Sequence, residues 1–316
     1  MVLLFEPWNL GDALIAASVA RLAPDSIILA CNSRWHEALT LASAGSLNLL
    51  PLDLPYVWRT GKRHGSLGDA AFLGSRFSAA QLGALEVVSI RGDLRDWFAA
   101  RRIFAAASCR FTGWRPFLAR KLSWFDRPYA LGTLPVRNRY RAWAEAAGLP
   151  FSAVEQGYAV RTGQRRDGPI VIHLGAQWRS KQYPQVAQLA RLLRGSGLKV
   201  QMLAGPDDPL PPGISADVVQ RPRWPELVER LKSASQVIAN DSGPMHLAAF
   251  LGCRTIALSR CSNIAEWLPP GVTALSSPSA PRGYRPIPGY WSDAVLPGWP
   301  APDEIATCLQ NQHRHE

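Results

Sequence analysis

Three turns of the chain carry residues whose chemistry suits a phosphorylated substrate. Asp12 follows the first apolar strand, Lys181 follows a polar turn, and Asp241 begins a turn between a strand and a helix. A carboxylate such as Asp12 can act as a general base on an acceptor hydroxyl. A lysine such as Lys181 can neutralise a diphosphate leaving group, whose charge needs stabilising as the bond to it breaks. Together these residue types would suit the transfer of a sugar from a diphosphate to a hydroxyl group, and each also has a simpler interpretation.

The stretch Gln236–Leu258 predicts a short apolar strand, a polar turn, a helix and a second strand. Asp241 or Ser242 can cap the helix, and Gly243 lets the backbone approach a ligand closely. Because amide groups at a helix N-terminus bind phosphate, we expect a nucleotide diphosphate at this turn. His246, one turn into the helix, could reach the phosphates or a sugar hydroxyl. The alternatives are an ordinary connection of an α/β domain and a histidine that only packs in the core.

The other candidates also have simpler interpretations. Asp12 could be an ordinary helix N-cap, and Lys181 could be a surface lysine. Asp208, in the turn Gly205-Pro206-Asp207-Asp208, could offer its carboxylate to ribose hydroxyls or only shape the turn. The sequence contains no cluster of His, Cys and carboxylate residues with metal-ligand spacing. We therefore expect metal-independent chemistry without a cofactor.

Each half of the chain is predicted to form a sheet that places these turns at the ends of its strands. Short apolar strands alternate with helices between residues 2 and 147, and the alternation starts again at residue 170. This rhythm is typical of parallel sheets with crossover helices. Between the two halves lies Thr162–Gly168, a polar, arginine-rich segment that suits a domain boundary. We therefore predict an α/β protein with two Rossmann-like domains facing each other across a cleft.

The composition predicts a basic globular protein. The 316 residues are 47% hydrophobic and carry a formal charge of +11, mostly from arginine. Nucleic acid, anionic lipid or phosphorylated glycan, and mere compositional bias could each explain the charge, but no nucleic-acid module accompanies it. Five scattered cysteines without Cys-x-x-Cys spacing indicate a reducing compartment. With no bilayer-spanning run and no leader, we expect a cytoplasmic protein, a peripheral contact with the inner membrane being left open.

Three motifs occur in the order and spacing of a known family. They are Gly11-Asp12-Ala13-Leu14, then His173-Leu174-Gly175-Ala176 with Lys181-Gln182-Tyr183-Pro184, and finally the run from Asn240 to Gly252. Together they resemble glycosyltransferase family 9, the lipopolysaccharide heptosyltransferase-like family. The third motif is the most specific, because Asp-Ser-Gly-x-x-His-Leu-Ala-Ala stands in the expected strand–turn–helix setting.

The resemblance implies a GT-B fold and a division of labour between two domains. Residues 1–150 would bind the acceptor and residues 151–316 the nucleotide sugar, the terminal helix lying in the second domain or packing back on the first. The implied reaction is inverting, metal-independent transfer of heptose or a related sugar, with an ADP-sugar as the favoured donor. The acceptor would be an anionic glycan or glycolipid of lipopolysaccharide or surface polysaccharide synthesis.

The resemblance also assigns residues to roles. Asp12 matches the catalytic base, and Lys181 matches the residue that contacts donor phosphate. The basic loop around Arg59 suits a phosphorylated or carboxylated acceptor. The donor set is Gly175, Ala176, Gln177, Lys181, Asp208, Asp241, Ser242, Gly243 and His246, and the acceptor set is Gly11, Arg59, Lys62, Arg63 and His64.

Departures from the family pattern leave other functions open. Glu6 lies in Phe5-Glu6-Pro7-Trp8, where the family often has a basic residue, and Ala176-Gln177 replaces small hydroxyl residues. These changes bear on the sugar and the nucleotide base rather than on the fold. The alternatives are a nucleotide-sugar epimerase of GT-B fold and a non-catalytic protein that binds a nucleotide sugar.

Overall fold

The chain divides into two compact units, Met1–Gly157 and Tyr158–Glu316. The division lies a few residues beyond residue 150, where the sequence placed the boundary. Each unit contains one six-stranded sheet, in which all the strands pair in parallel. The structure, a computed structural model, describes residues 1–54, 77–91, 94–114, 125–129, 138–158, 167–206, 208, 210–211, 213–214, 219–260, 264–276 and 294–314.

The sheet of the first unit is built on an apolar central strand. The strands are β1 (Val2–Glu6), β2 (Ile27–Asn32), β3 (Asn48–Leu52), β4 (Glu86–Ser89), β5 (Ser108–Trp114) and β6 (Phe125–Tyr129). Their spatial order is β3-β2-β1-β4-β5-β6. Leu3, Leu4 and Phe5 of β1 are completely buried, so this strand is apolar on both faces. Such burial is expected of a parallel strand that is covered by helices on both sides.

The helices of the first unit cover this sheet. They are α1 (Leu10–Ala20), α2 (His36–Ala42), α3 (Ala79–Gly83), α4 (Leu94–Ile103), α5 (Arg139–Ala146) and α6 (Phe151–Gln156). Helix α1 is rich in alanine, which lets it pack closely on β1, β2 and α5. Trp143 and Tyr140 of α5 are buried and supply much of the packing volume there.

The sheet of the second unit is also apolar at its centre. The strands are β7 (Ile170–His173), β8 (Val200–Leu203), β9 (Val219–Gln220), β10 (Gln236–Asn240), β11 (Thr255–Ser259) and β12 (Thr273–Ser276). Their spatial order is β12-β11-β10-β7-β8-β9. The core joins Ile170, Ile172, Ile238 and Ile256 from the strands to apolar residues of the flanking helices.

Helices also flank the second sheet. They are α7 (Val186–Gly195), α8 (Trp224–Ser233), α9 (Gly243–Phe250), α10 (Ile264–Trp267) and α11 (Pro302–Arg314). Pro184 would suit the first turn of a helix, so the sequence favours a start at Tyr183, but α7 begins at Val186 and Pro184 precedes it. The terminal helix α11 packs on α7, and its Ile305 and Leu309 are buried in the core of the second unit. In the described residues, no helix has the length and apolar character needed to cross a membrane.

Both sheets have the same topology. When the strands of each unit are counted along the chain, the spatial order in both is third, second, first, fourth, fifth and sixth. In such doubly wound sheets the connections turn in opposite directions after the first and fourth strands, which leaves a ligand-binding crevice at their carboxyl ends. The crevice therefore lies where β1 and β4 end in the first unit, and where β7 and β10 end in the second.

Candidate functional site

A buried asparagine organises the second unit's crevice. Asn240, the last residue of β10, is only 2% exposed. Its Oδ1 accepts a hydrogen bond from the Tyr183 amide at 2.9 Å, and its Nδ2 donates to the carbonyl oxygens of Leu174 at 3.0 Å and Gly175 at 3.4 Å. One side chain thus fixes the segment after β7 and the segment before α7 against the end of β10. Asn240 was given no role from the sequence, although a polar residue that closes an apolar strand is a usable signal.

Lys181 and Asp241 are brought together at this crevice. A single 3₁₀ turn, Arg179–Lys181, directs the lysine towards the end of β10, where its Nζ lies 2.9 Å from Asp241 Oδ2. The two side chains are 14% and 7% exposed, so both charges are largely removed from water. Opposite charges that are shielded from solvent attract more strongly than a surface pair. The pair keeps an ammonium group beside the turn that the sequence predicted to bind phosphate.

The start of α9 differs in one detail from the prediction. Ser242 is the N-cap residue, but its side chain makes no capping hydrogen bond. Its hydroxyl donates instead to the carbonyl oxygen of Asn240 at 3.2 Å. Neither of the predicted caps therefore satisfies the helix amides: Asp241 precedes the cap position, and its carboxylate pairs with Lys181.

This arrangement leaves two backbone donors at the turn. The Asp241 amide bonds to β11 at 3.1 Å, the Met245 amide bonds back to the turn at 3.1 Å, and Pro244 has no amide hydrogen. No acceptor in the described residues takes the amides of Ser242 and Gly243. These two N–H groups, at the positive end of a helix and next to an ammonium group, can receive an anion.

Asp208 lies against two glycines, Gly175 and Gly205. Its Oδ2 accepts a hydrogen bond from the Gly205 amide at 2.8 Å, which is a local turn contact. A Cβ atom added to Gly175 would lie 1.8 Å from that oxygen, so the carboxylate occupies the space that the glycine leaves. His173 Nε2 lies 3.9 Å from the same oxygen. Burial lowers the pKa of His173, while Asp208 and the backbone at Gly175 act in the opposite direction.

The remaining donor-set residues occupy different environments. His246 is buried within α9, at 3% exposure. Ala176 is buried, and its carbonyl oxygen accepts a hydrogen bond from Gln182 Nε2 at 3.4 Å. Gln177 is exposed. The structure thus gathers Gly175, Lys181, Asp208, Asp241 and the turn at Gly243 around the ends of β7 and β10.

Asp12 lies in the first turn of α1, at the crevice of the first unit. The helix begins at Leu10 after the N-cap Asn9, so Asp12 is its third residue and the N-cap interpretation was wrong. Its side chain is 14% exposed. Oδ1 lies 3.3 Å from Arg91 Nη1, and Oδ2 accepts a hydrogen bond from Asn9 Nδ2 at 3.4 Å. These are its polar contacts within the described residues.

Two further carboxyl groups surround Arg91, and neither was predicted from the sequence as a site residue. Glu6 Oε1, at the end of β1, lies 3.8 Å from Nη1, and Asp96 Oδ2 lies 3.9 Å from Nε. Glu6 is 1% exposed and Asp96 is fully buried. Burial is the largest cause that raises the pKa of Glu6 well above its ordinary value; Asp12 and Asp96 raise it further, and Arg91 and Arg139 oppose them.

The predicted acceptor set is only partly described. Gly11 is the second residue of α1, beside Asp12. Arg59, Lys62, Arg63 and His64 lie outside the described residues. Across the part of the chain that the structure describes, no group of three or more His, Cys, Asp and Glu residues has an arrangement that could hold a metal ion.

A model of one family's sequences decides the classification. The model for glycosyltransferase family 9 (heptosyltransferase) matches residues 118–277, just over half of the chain. The chain belongs to glycosyltransferase family 9. The matched residues contain Lys181 and the whole turn at Gly243 but begin after Asp12. A search of curated proteins gives no match.

Solved structures support the fold over nearly the whole length of this family 9 chain. Escherichia coli ADP-heptose lipopolysaccharide heptosyltransferase II superposes with a TM-score of 0.62 at 16% identity, covering 98% of this chain and 97% of that one. A family 9 glycosyltransferase from Veillonella parvula gives 0.62 at 15% identity, covering 100% and 97%. E. coli heptosyltransferase WaaC with ADP-2-deoxy-2-fluoro heptose gives 0.52 at 15% identity, covering 99% and 100%. The predicted α/β fold of GT-B type is confirmed.

Proposed function

We propose that this family 9 member is an inverting, metal-independent glycosyltransferase. It would move heptose or a related sugar from a nucleotide diphosphate, with ADP favoured, to a hydroxyl of an anionic glycan or glycolipid. Such acceptors are made in lipopolysaccharide or surface polysaccharide synthesis. The observation that carries the proposal is the Lys181 ammonium group beside the turn at Gly243, together with the amides of Ser242 and Gly243, for which the described residues provide no acceptor.

The donor half of the proposal depends on charge at the second unit's crevice. A diphosphate leaving group gains negative charge as its bond to the sugar breaks, and preorganised donors stabilise that charge. Lys181 supplies a cation, while Ser242 and Gly243 supply N–H groups at a helix N-terminus. The pairing with Asp241 holds the ammonium group in place before the donor arrives. In this proposal the ammonium group of Lys181 and the two amides take the role that a metal ion would otherwise have.

The acceptor half depends on Asp12. Direct attack by an acceptor hydroxyl on the sugar carbon inverts that carbon and needs one base to take the hydroxyl proton. A carboxylate in the first turn of a helix, ordered by Arg91 and Asn9, suits this role. The acceptor oxygen would bond to the sugar carbon, the diphosphate would leave with the bonding electron pair, and the proton would pass to Asp12.

The choice of an ADP-sugar rests on similarity. The WaaC structure similar to this chain holds ADP-2-deoxy-2-fluoro heptose, and another structural relative is named an ADP-heptose heptosyltransferase. Both are under 17% identical to this chain. The nucleotide base and the sugar therefore require direct measurement.

A thermal-shift panel tests the donor assignment. ADP, GDP, UDP, CDP and their sugars should be compared, because a ligand that binds only the folded state stabilises it by about 2.7 kcal/mol at 100 times its Kd. We expect ADP and ADP-heptose to raise Tm and the Lys181→Ala variant to lose most of the shift. Lys199→Ala is a matched control, because Lys199 lies in the same unit just before β8, away from the Gly243 turn. If every nucleotide failed at millimolar concentration, the donor site would be wrongly assigned.

A further inference from the structure

One charged cluster in the first unit goes beyond the single base that the proposed function uses. Three carboxyl groups, from Glu6, Asp12 and Asp96, lie within 4 Å of one guanidinium group, that of Arg91. They come from β1, α1 and α4, and Arg91 itself follows β4. The topology thus brings four separate segments to the same crevice.

Placing three negative charges beside Arg91 would carry a cost. Removing an ionised carboxylate from water is expensive unless it is paired, and Glu6 is almost fully buried. Its Oε1 accepts no hydrogen bond from the described residues. Burial raises the pKa of Glu6 well above its ordinary value, which favours the neutral form of this carboxyl group.

Arg91 is held in place from its other sides. Its Cζ lies 4.7 Å from the centre of the Trp8 ring, a distance typical of a cation–π contact. The Trp8 indole N–H lies 3.0 and 2.9 Å from the two carboxylate oxygens of Asp96, and Asp96 also faces Arg91 Nε. The guanidinium group is thus anchored before it meets Asp12.

We propose that Arg91 is the positioning residue for Asp12, and that the buried carboxyl group of Glu6 acts as the neutral spacer that directs Arg91 to Asp12. This inference rests on the proposed function, because it assigns a helper to the base of that reaction. Arg91 Nη1 approaches Asp12 at 3.3 Å but Glu6 at 3.8 Å, so the shared nitrogen already favours Asp12. An ionised Glu6 would compete for the same N–H group and draw Arg91 away.

The first test compares arginine variants in the full-length protein. Arg91→Gln removes the cation, and misplacing a catalytic group by about 1 Å can cost about 10²-fold in rate. We expect kcat to fall by about that factor with the donor KM unchanged, and Arg91→Lys to recover part of the loss. Arg95→Gln is the matched control: Arg95 also lies 4.7 Å from the Trp8 ring, yet it makes no ion pair with Asp12. Equal kcat in Arg91→Gln and Arg95→Gln, with both folded, would overturn the inference.

The second test does not depend on turnover. Carboxyl ¹³C NMR should follow the titration of Glu6, whose charged neighbours are Arg91, Asp12, Asp96 and Arg139. The pKa of Glu6 should fall in Asp12→Asn, which removes a negative neighbour, and should rise in Arg91→Gln, which removes a positive one.

The two tests separate this inference from the proposed function. If the wild type showed no transfer activity but the pKa of Glu6 shifted as expected in both variants, the proposed function would be refuted and the charged cluster would be confirmed. If the pKa of Glu6 were the same in the wild type, Asp12→Asn and Arg91→Gln, the proposed interactions within the cluster would be refuted, whatever the activity.

Discussion

The two units share a strand order but carry opposite chemistry at the same topological position. In the first unit three carboxyl groups, from β1, α1 and α4, lie around Arg91, which follows β4. In the second unit the ends of β7 and β10 present Asn240, a lysine–aspartate pair and two open amides. The comparison teaches that the doubly wound sheet supplies the place for a site, while a few strand-end residues decide what that site can do.

The difference in charge matches a difference in task. A carboxylate that is to accept a proton needs a fixed position, and in the first unit Asp12 lies beside Arg91 and Asn9. A group that receives a diphosphate must offer positive charge, so the second unit uses Lys181 and helix amides. Substitutions in the two crevices should therefore separate the chemical step from donor binding.

Asp12→Asn should give the largest effect. The amide keeps the shape of the carboxylate but cannot take the acceptor proton, and loss of a general base typically costs about 10²–10⁴-fold in rate. We expect kcat to fall within that range while nucleotide affinity, measured by calorimetry, is unchanged. Lys181→Ala should mainly weaken nucleotide binding. If Asp12→Asn transferred sugar at the wild-type rate, Asp12 would not be the base and the two units would not divide the tasks in this way. If the wild type showed no transfer, a non-catalytic binding protein would be favoured.

Asn240→Ala should have the next largest effect, now on stability. The change leaves the Tyr183 amide and the carbonyl oxygens of Leu174 and Gly175 without their partner, and each buried group left unpaired costs about 1–3 kcal/mol. We expect a loss of about 3 kcal/mol in urea unfolding, which is the lower end for three such groups together. Asn32→Ala is the matched control in the first unit, because Asn32 also ends a strand at 2% exposure but, among the described residues, accepts only from the nearby Arg34 amide. Equal losses in the two variants would show that Asn240 is not the second unit's organiser.

These contacts also show why the sequence predicted part of the site and not the rest. Apolar runs punctuated by glycine and proline identify strands and turns locally, so Lys181 and Asp241 could be proposed from local patterns alone. The partners of Asn240 lie 57 to 66 residues away along the chain, and no local pattern links them. Arg91 and Asp96 are likewise remote from Asp12 and meet it only through the sheet order.

The misplaced helix boundaries have physical causes of the same kind. Pro184 suits the first turn of a helix, but the preceding Tyr183 amide is committed to Asn240, and the helix starts only at Val186. Asp12 resembles a cap, yet Asn9 takes that position and Asp12 lies within the first turn of α1. The strands β5 and β6 are hard to recognise from the sequence, because their arginines and aromatic residues obscure the alternation of a strand.

The two crevices should also respond to pH in opposite directions. The raised pKa of Glu6 means that the folded state holds a proton that the unfolded chain releases, so this contribution to stability is full below pH 4.5 and is lost as pH rises towards the folded pKa. The lowered pKa of His173 gives the opposite sign: its contribution is full above pH 6.5 and is lost as pH falls towards the folded value. Urea unfolding of Glu6→Gln and the wild type from pH 4 to 8 should show the variant gaining relative stability as pH rises. A difference that stays constant would mean that the pKa of Glu6 is the same in the folded and the unfolded protein.

Gly175→Ala should cost less, about 1 kcal/mol, the typical worth of one hydrogen bond. An added Cβ would displace the Asp208 carboxylate, which would lose its hydrogen bond from the Gly205 amide. Removing the carboxylate as well, in Gly175→Ala with Asp208→Ala, should recover most of the loss relative to Asp208→Ala alone. Gly195→Ala serves as the control, since a Cβ there has nothing within 4 Å. If Gly175→Ala cost as much stability in the Asp208→Ala background as in the wild type, the glycine would be needed for its backbone conformation and not for the space that it leaves.

The smallest effect is expected at the start of α9, where two serines allow a comparison between the units. Ser78 Oγ accepts a hydrogen bond from the Gln81 amide, and Gln81 Oε1 accepts one from the Ser78 amide. Loss of such a cap typically costs about 1 kcal/mol. Ser242 makes no capping bond and only donates to the Asn240 carbonyl oxygen, so Ser242→Ala should cost about 0.5 kcal/mol, near the lower end for a hydrogen bond. Urea unfolding of the two variants would rank them. If Ser242→Ala cost as much as Ser78→Ala, the Ser242 hydroxyl would be capping α9 in solution, and the amides assigned to the donor phosphate would be occupied before the donor arrives.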